Sequence, residues 1–223
     1  MTVATDPAGT AEPAATRPRG LLVVLALVTA VALLAAGAAL AVVTGLGGPR
    51  APDETSVDAG FARDMSTHHA QAAEMAQVVR DHGTDPTVRL LAYDIETQQL
   101  GQIGQLRGWL QTWGLTPQSD VPVMAWVTSH DHDGVSSGGL MPGMATTAEL
   151  DRLRSLSGPA LDVYFLQLMI RHHQGGLGMA SDAAEHASLS YVRDLATKMA
   201  QAQQAEVVTM EQLLRERGGR PLS

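Results

Sequence analysis

The sequence predicts an all-α protein: a four-helix bundle made of two repeated helical hairpins, preceded by an N-terminal transmembrane helix. Three observations predict it. Residues 21 to 43 form an apolar run of 23 residues without a charge. Residues 58 to 114 fall without a gap on residues 162 to 218, with 15 of 57 positions identical. Within each repeat, apolar and histidine positions recur at steps of three and four, the spacing of one helix face.

Residues 1 to 20 are rich in Ala, Pro and Thr and read as a disordered cytoplasmic tail. A bilayer core needs about 20 apolar helical residues, so the run 21 to 43 is long enough to span it. A cleaved signal peptide competes, although its apolar region is usually only about 7–15 residues. The chain has no Cys, which excludes a lipoprotein anchor. Arg17 and Arg19 precede the run, whereas Asp53, Glu54 and Asp58 follow it. The positive-inside bias therefore predicts a single-pass cell-membrane protein with a cytoplasmic N-terminus and an extracytoplasmic C-terminal domain. Residues 44 to 56 read as a linker.

Residues 51 to 223 carry 12 Lys/Arg against 21 Asp/Glu, a formal charge of −9. An acidic surface without a basic stripe argues against nucleic acid as a partner. Without cysteine, a metal here would be held by His, Met, carboxylates or carbonyls.

The bundle domain is expected over 57 to 218, its two repeats joined by a connection over 115 to 157. The first helix runs from Val57 to His82, with Thr55 and Asp58 resembling a capping box and Gly83 as a left-handed stop. Asp85-Pro86 starts the second, which ends near Trp113. Thr146 and Glu149 form a capping box for a short helix. Gly158-Pro159 opens the next long helix, ending near His186, and Ser188 or Ser190 caps the last. The long connection, rich in Pro and Gly, permits a ferritin-like crossover.

Steps of four and three place Phe61, Met65, His68, Ala72, Met75, Val79 and His82 on one stripe, and Phe165, Met169, His172, Gly176, Met179, Ala183 and His186 on its copy. Each stripe sets an imidazole between two thioethers on the buried seam. Met65, Met75, Met169 and Met179 taken alone fit packing. Burying His68 and His172 in both halves needs a compensating partner, which points to a metal or another site function. His69 and His173, 100° further round the helix, are second ligands or flanking groups. His82 and His186 suit helix C-termini, with ligation as the other reading. Gln99, Gln203 and Glu206, which stands where Gln102 does in the first repeat, are placed to hydrogen-bond the imidazoles, with direct ligation as the other reading. Trp109, Trp113 and Trp126 read as packing aromatics.

A di-iron bundle needs Glu-x-x-His motifs, which the long helices lack. Imidazole with thioether suits copper, above all Cu(I). His130, His132 and the stretch Met141-Pro142-Gly143-Met144 read either as an outer collecting loop for that ion or as a flexible polar connection. Three functions follow: copper sequestration or transfer, a structural or protein-interaction module, and a copper or iron oxidoreductase. No substrate-positioning motif favours the last.

Met65-Ser66-Thr67-His68-His69 with Glu74-Met75-Ala76, Met141 to Thr146, and above all Gly158 to Ala180 (GPALDVYFLQLMIRHHQGGLGMA) resemble the family catalogued as domain of unknown function 305. The resemblance covers roughly residues 57 to 217. It implies a ferritin-like helical bundle exported from a bacterial cell, with some relatives periplasmic copper-binding proteins implicated in copper resistance. Gly175, Gly176 and Gly178 crowd the second motif helix, where each interior Gly costs about 1 kcal/mol relative to Ala. A backbone packed closely against that helix, or a more mobile second site, would account for them.

Overall fold

The computed structural model describes residues 19–44, 51–128 and 139–222. Most of the expected tail, and His130 and His132, lie outside the described residues. The chain divides into two compact units, Met1–Arg50 and Ala51–Ser223. In the first unit, α1 spans Arg19–Thr44. Its stretch Gly20–Val43, 24 residues, is long and apolar enough to cross a membrane.

The second unit is a bundle of four long helices: α2 (Val57–His82), α3 (Pro86–Thr112), α5 (Gly158–His186) and α6 (Ser190–Glu216), with the short α4 (Thr147–Ser155) in the connection. Helices α2 and α3 form one hairpin, α5 and α6 the other, and α2 packs on α5 between them. The described residues contain no strand.

Cap chemistry sets most of these bounds. The Asp85 carboxylate accepts from the amides of Thr87 and Val88, and Pro86 follows in the first turn of α3. Thr146 and Glu149 close a reciprocal capping box on α4. Three expected caps are replaced. Ser56, not Thr55, caps α2 by accepting from Ala59 N. Gly83 has φ −64°, so α2 ends in extended backbone rather than a left-handed residue. Neither Ser188 nor Ser190 caps α6; Leu189 stands at its N-cap without a side-chain bond.

Asp58 and Asp162 explain the last change. Each is buried, and each caps the turn of the opposite hairpin. The Asp58 carboxylate accepts from Ser188 N and Leu189 N, both at 2.9 Å. Asp162 accepts from Asp85 N at 3.0 Å and from the Thr84 hydroxyl at 2.8 Å. The start of α2 thus meets the end of α5 and the reverse, so the two central helices run antiparallel about a pseudo-twofold.

The core falls into two apolar clusters. One gathers Phe61, Met65, Leu106, Leu110, Trp126, Met179 and Met199. The other gathers Met75, Val79, Ile95, Phe165, Leu166, Met169 and Met210. On all four long helices the residues between them are polar: His68 and His69, Gln99 and Gln102, His172 and His173, Gln203 and Glu206.

Candidate metal centre

Antiparallel packing about the pseudo-twofold brings equivalent residues of the repeats together. The His68 and His172 rings lie 3.8 Å apart between centroids, tilted by 36°. His69 sits 6.5 Å from His68, and His173 sits 6.2 Å from His172. All four residues are at most 1% exposed. His69 and His173 therefore lie deeper than the seam edge expected of them, because α3 and α6 cover that side of α2 and α5.

Burial penalises the charged imidazole. Desolvation pushes His68 down to about 4, although its bond to the Pro142 carbonyl opposes this. Desolvation and then the neighbouring His68 take His69 to about 3. His172 is held well below the usual value by desolvation, then by the other three histidines. These rings are neutral at pH 7, the form in which imidazole ligates a metal.

Each ring leaves one nitrogen unpaired. His68 donates its Nε2–H to the Pro142 carbonyl at 3.0 Å, and its Nδ1 is buried without a partner. His69 Nε2 lies 2.7 Å from Gln102 Oε1, and His173 Nε2 lies 2.7 Å from Glu206 Oε2. Both Nδ1 atoms are likewise unpartnered, as are His172 Nε2 and the Oε1 atoms of Gln99 and Gln203. The great majority of buried polar side-chain atoms have a hydrogen-bond partner; here six in one layer lack one. Glu206 and Gln102 thus support histidines as the sequence anticipates, whereas Gln99 and Gln203 leave their oxygens unpaired.

Pro142 is the group that sequence reasoning missed. The stretch Met141 to Met144 is neither an outer loop nor a free connection, because it packs into the bundle beside the histidines. Gly143 has φ +77°, and a Cβ on it would meet the His172 Cα and carbonyl at 3.0 Å. A Cβ on Gly175 would overlap the Pro142 carbonyl. Gln71 fastens the same segment, accepting from Ala145 N at 2.6 Å and donating to its carbonyl at 2.9 Å. Gly175 therefore answers to a backbone packed closely on α5; the glycine pair in a helix was the signal.

The methionines border the layer on both sides, Met65 and Met179 in one apolar cluster and Met75 and Met169 in the other. All four are buried. Met141, also buried, belongs with the first pair. The stripe breaks at its ends, where His82 and His186 are exposed. His186 donates Nδ1–H to the Asp182 carbonyl at 3.0 Å, a terminal role. Trp126 packs edge-on against Phe61 and donates to Asp64 at 2.7 Å, while Trp109 stacks on Trp113 and meets Tyr191. Among the described residues no three of His, Cys, Asp or Glu form a cluster able to hold an ion.

The description of the domain of unknown function DUF305 matches residues 58–214. The chain belongs to this family. A DUF305 protein from Streptomyces coelicolor, described as a candidate secreted protein, has 44% identity and a TM-score of 0.70 over 77% of this chain and 99% of that one. A DUF305 fragment from Deinococcus radiodurans has 32% identity and a TM-score of 0.60 over 75% and 99%. CopM, solved in a Cu(I)-bound form, has 25% identity and a TM-score of 0.54 over 71% and 96%. Comparison with curated proteins gives no match. The DUF305 match spans both histidine pairs and the intervening Met141 to Met144 segment.

Proposed function

We propose that this DUF305 protein is an extracytoplasmic metal-binding protein that sequesters or passes copper, with Cu(I) preferred. Residues 21 to 43 anchor it in the cell membrane with the N-terminus in the cytoplasm. The observation that carries the reading is the polar layer, where four buried imidazoles each keep one unpartnered ring nitrogen.

His68 and His172 are the central ligands, with His69 and His173 beside them. Met65, Met75, Met169 and Met179 supply thioethers from the bordering clusters. Imidazole with thioether suits a soft monovalent ion better than zinc or hard iron. A bound ion would supply a positive charge. The protein supplies uncharged donors, so that His68, His69 and His172 need release no proton at neutral pH. CopM, whose fold this bundle shares, has been solved with Cu(I) and with Cu(II), which supports the choice of metal.

A structural role for the histidines has its own support: no ready-made cluster of three His or carboxylate groups is present among the described residues. One experiment separates the two. The full chain in detergent is titrated with Cu(I), Cu(II) and Zn(II) under competition, with elemental analysis of the protein as isolated. Tight, Cu(I)-preferring binding of one or two ions per chain supports the copper reading. Weak surface association with every metal overturns it in favour of structural histidines.

A further inference from the structure

The pseudo-twofold of the histidine layer is broken at one position. His69 and His173 are equivalent, and each Nε2 lies 2.7 Å from a side-chain oxygen on its hairpin partner helix. In the first half that oxygen belongs to the Gln102 amide; in the second it belongs to the Glu206 carboxylate. The two contacts have the same length but not the same chemistry. An amide carries both an acceptor oxygen and a donor NH2, and rotating it by half a turn lets it meet either imidazole tautomer. A carboxylate only accepts. Glu206 therefore holds a hydrogen on His173 Nε2, and Nδ1 is buried without a partner. Gln102 imposes no such choice on His69.

Charge differs as well. Among the described groups that hydrogen-bond the imidazoles, His68 meets a carbonyl and His69 an amide, both neutral. Glu206 alone brings a negative charge, and its side chain is 21% exposed against 0% for His173. A cation entering this layer in a low-dielectric core finds, among these hydrogen-bonding groups, a carboxylate on that side only. A carboxylate on the far nitrogen of a histidine also raises the basicity of the near one.

We propose that Glu206 is a positioning residue that makes the two halves of the layer unequal. It holds His173 as the Nε2–H tautomer, prepares Nδ1 as a donor and supplies one negative charge, so that the second repeat engages a soft monovalent cation first. The cation part rests on the copper reading above; the tautomer part stands on the metal-free protein.

The test uses the full chain in detergent, with ¹⁵N-labelled histidine, first without metal. In the wild type His173 shows a single Nε2–H tautomer at neutral pH. In Glu206→Gln it becomes a mixture, and in Gln102→Glu it is His69 that becomes fixed. Competition titration with Cu(I) alone then shows Glu206→Gln weakened by about 10–100-fold, and Gln102→Glu/Glu206→Gln restored to near wild-type affinity. Far-UV circular dichroism should not distinguish the four proteins, since Gln and Glu are nearly isosteric. A His173 that stays wholly Nε2–H in Glu206→Gln, or a Glu206→Gln protein with wild-type affinity, overturns the proposal. Absence of Cu(I) binding in the wild type overturns the copper reading and the cation part together, while the metal-free spectra still decide the tautomer.

Discussion

His68 and His172, equivalent residues of the two repeats, lie with ring centroids 3.8 Å apart and planes tilted by 36° in the layer between the two apolar clusters. Between them, His68 Nδ1 and His172 Nε2 have no hydrogen-bond partner. An unpaired buried polar atom costs about 1–3 kcal/mol. Functional sites commonly retain such costs. Replacing both rings with apolar side chains of similar size, His68→Leu/His172→Leu, removes these unpaired atoms and also the bond to Pro142. The opposing terms should leave stability in chemical denaturation within about 2 kcal/mol of wild type. Tight Cu(I) binding should disappear. A larger loss of stability with unchanged Cu(I) affinity would mark the pair as structural.

Acid should weaken the fold before it protonates native His68 and His69. His68 titrates at about 4 in the folded chain, against about 6.5 when unfolded. Between those values the unfolded chain binds more protons, so stability rises with pH there. The contribution is complete above pH 6.5 and is lost as pH falls toward 4. For His68 alone the loss is on the order of 3 kcal/mol. His69, lowered to about 3, extends the window further into acid. Urea midpoints measured from pH 8 to 4 should be flat above about 6.5 and then decline. A flat profile down to pH 4 would mean that the rings are not buried neutral.

The helices were legible because their ends are written locally. Asp85-Pro86 and the Thr146–Glu149 box act on their own turns and start α3 and α4 where expected. The histidine layer was legible because a repeat aligned on itself places His68 over His172. Asp58 was misread for the opposite reason: near Thr55 it looks like part of a local cap, but its partners, Ser188 and Leu189, lie 130 and 131 residues away. The depth of His69 and His173 depends on which helices cover that side of the seam, which one helix's periodicity does not contain. Pro142 contributes a backbone carbonyl, invisible to any reading of side-chain chemistry except through the glycines it packs against.

Asp58→Ala and Asp162→Ala should each destabilise the bundle without affecting metal affinity. Each carboxylate satisfies at least two donors of a turn belonging to the other hairpin. Stranding one buried donor costs about 1–3 kcal/mol, and these donors are only part-buried, so losing two should cost about 2–4 kcal/mol per substitution. The two turns sit at opposite ends of the bundle, and effects at separated sites add. Thermal or urea unfolding of both single variants and the double variant reads this directly. A strongly non-additive double variant would show that the two turns are coupled through α2 and α5.

Gly175→Ala and Gly176→Ala should differ although the residues are adjacent. In an unobstructed helix either change would stabilise by about 1 kcal/mol. At Gly176 the added methyl meets Gln203 Oε1 at 2.6 Å and His68 Cε1 at 3.1 Å. The Gln203 amide is the end of a flexible side chain and can move, so the net effect should be small. At Gly175 the obstacle is the Pro142 carbonyl and the Gly143 amide, backbone held in place by Gln71. Overpacking of this kind costs about 1–3 kcal/mol. Displacing Pro142 also removes the acceptor of His68 Nε2–H. Gly175→Ala should therefore lower the unfolding midpoint and release the His68 tautomer in imidazole ¹⁵N spectra. A Gly175→Ala protein that is more stable than wild type, with His68 unchanged, would show that the Met141 to Met144 segment does not press on α5.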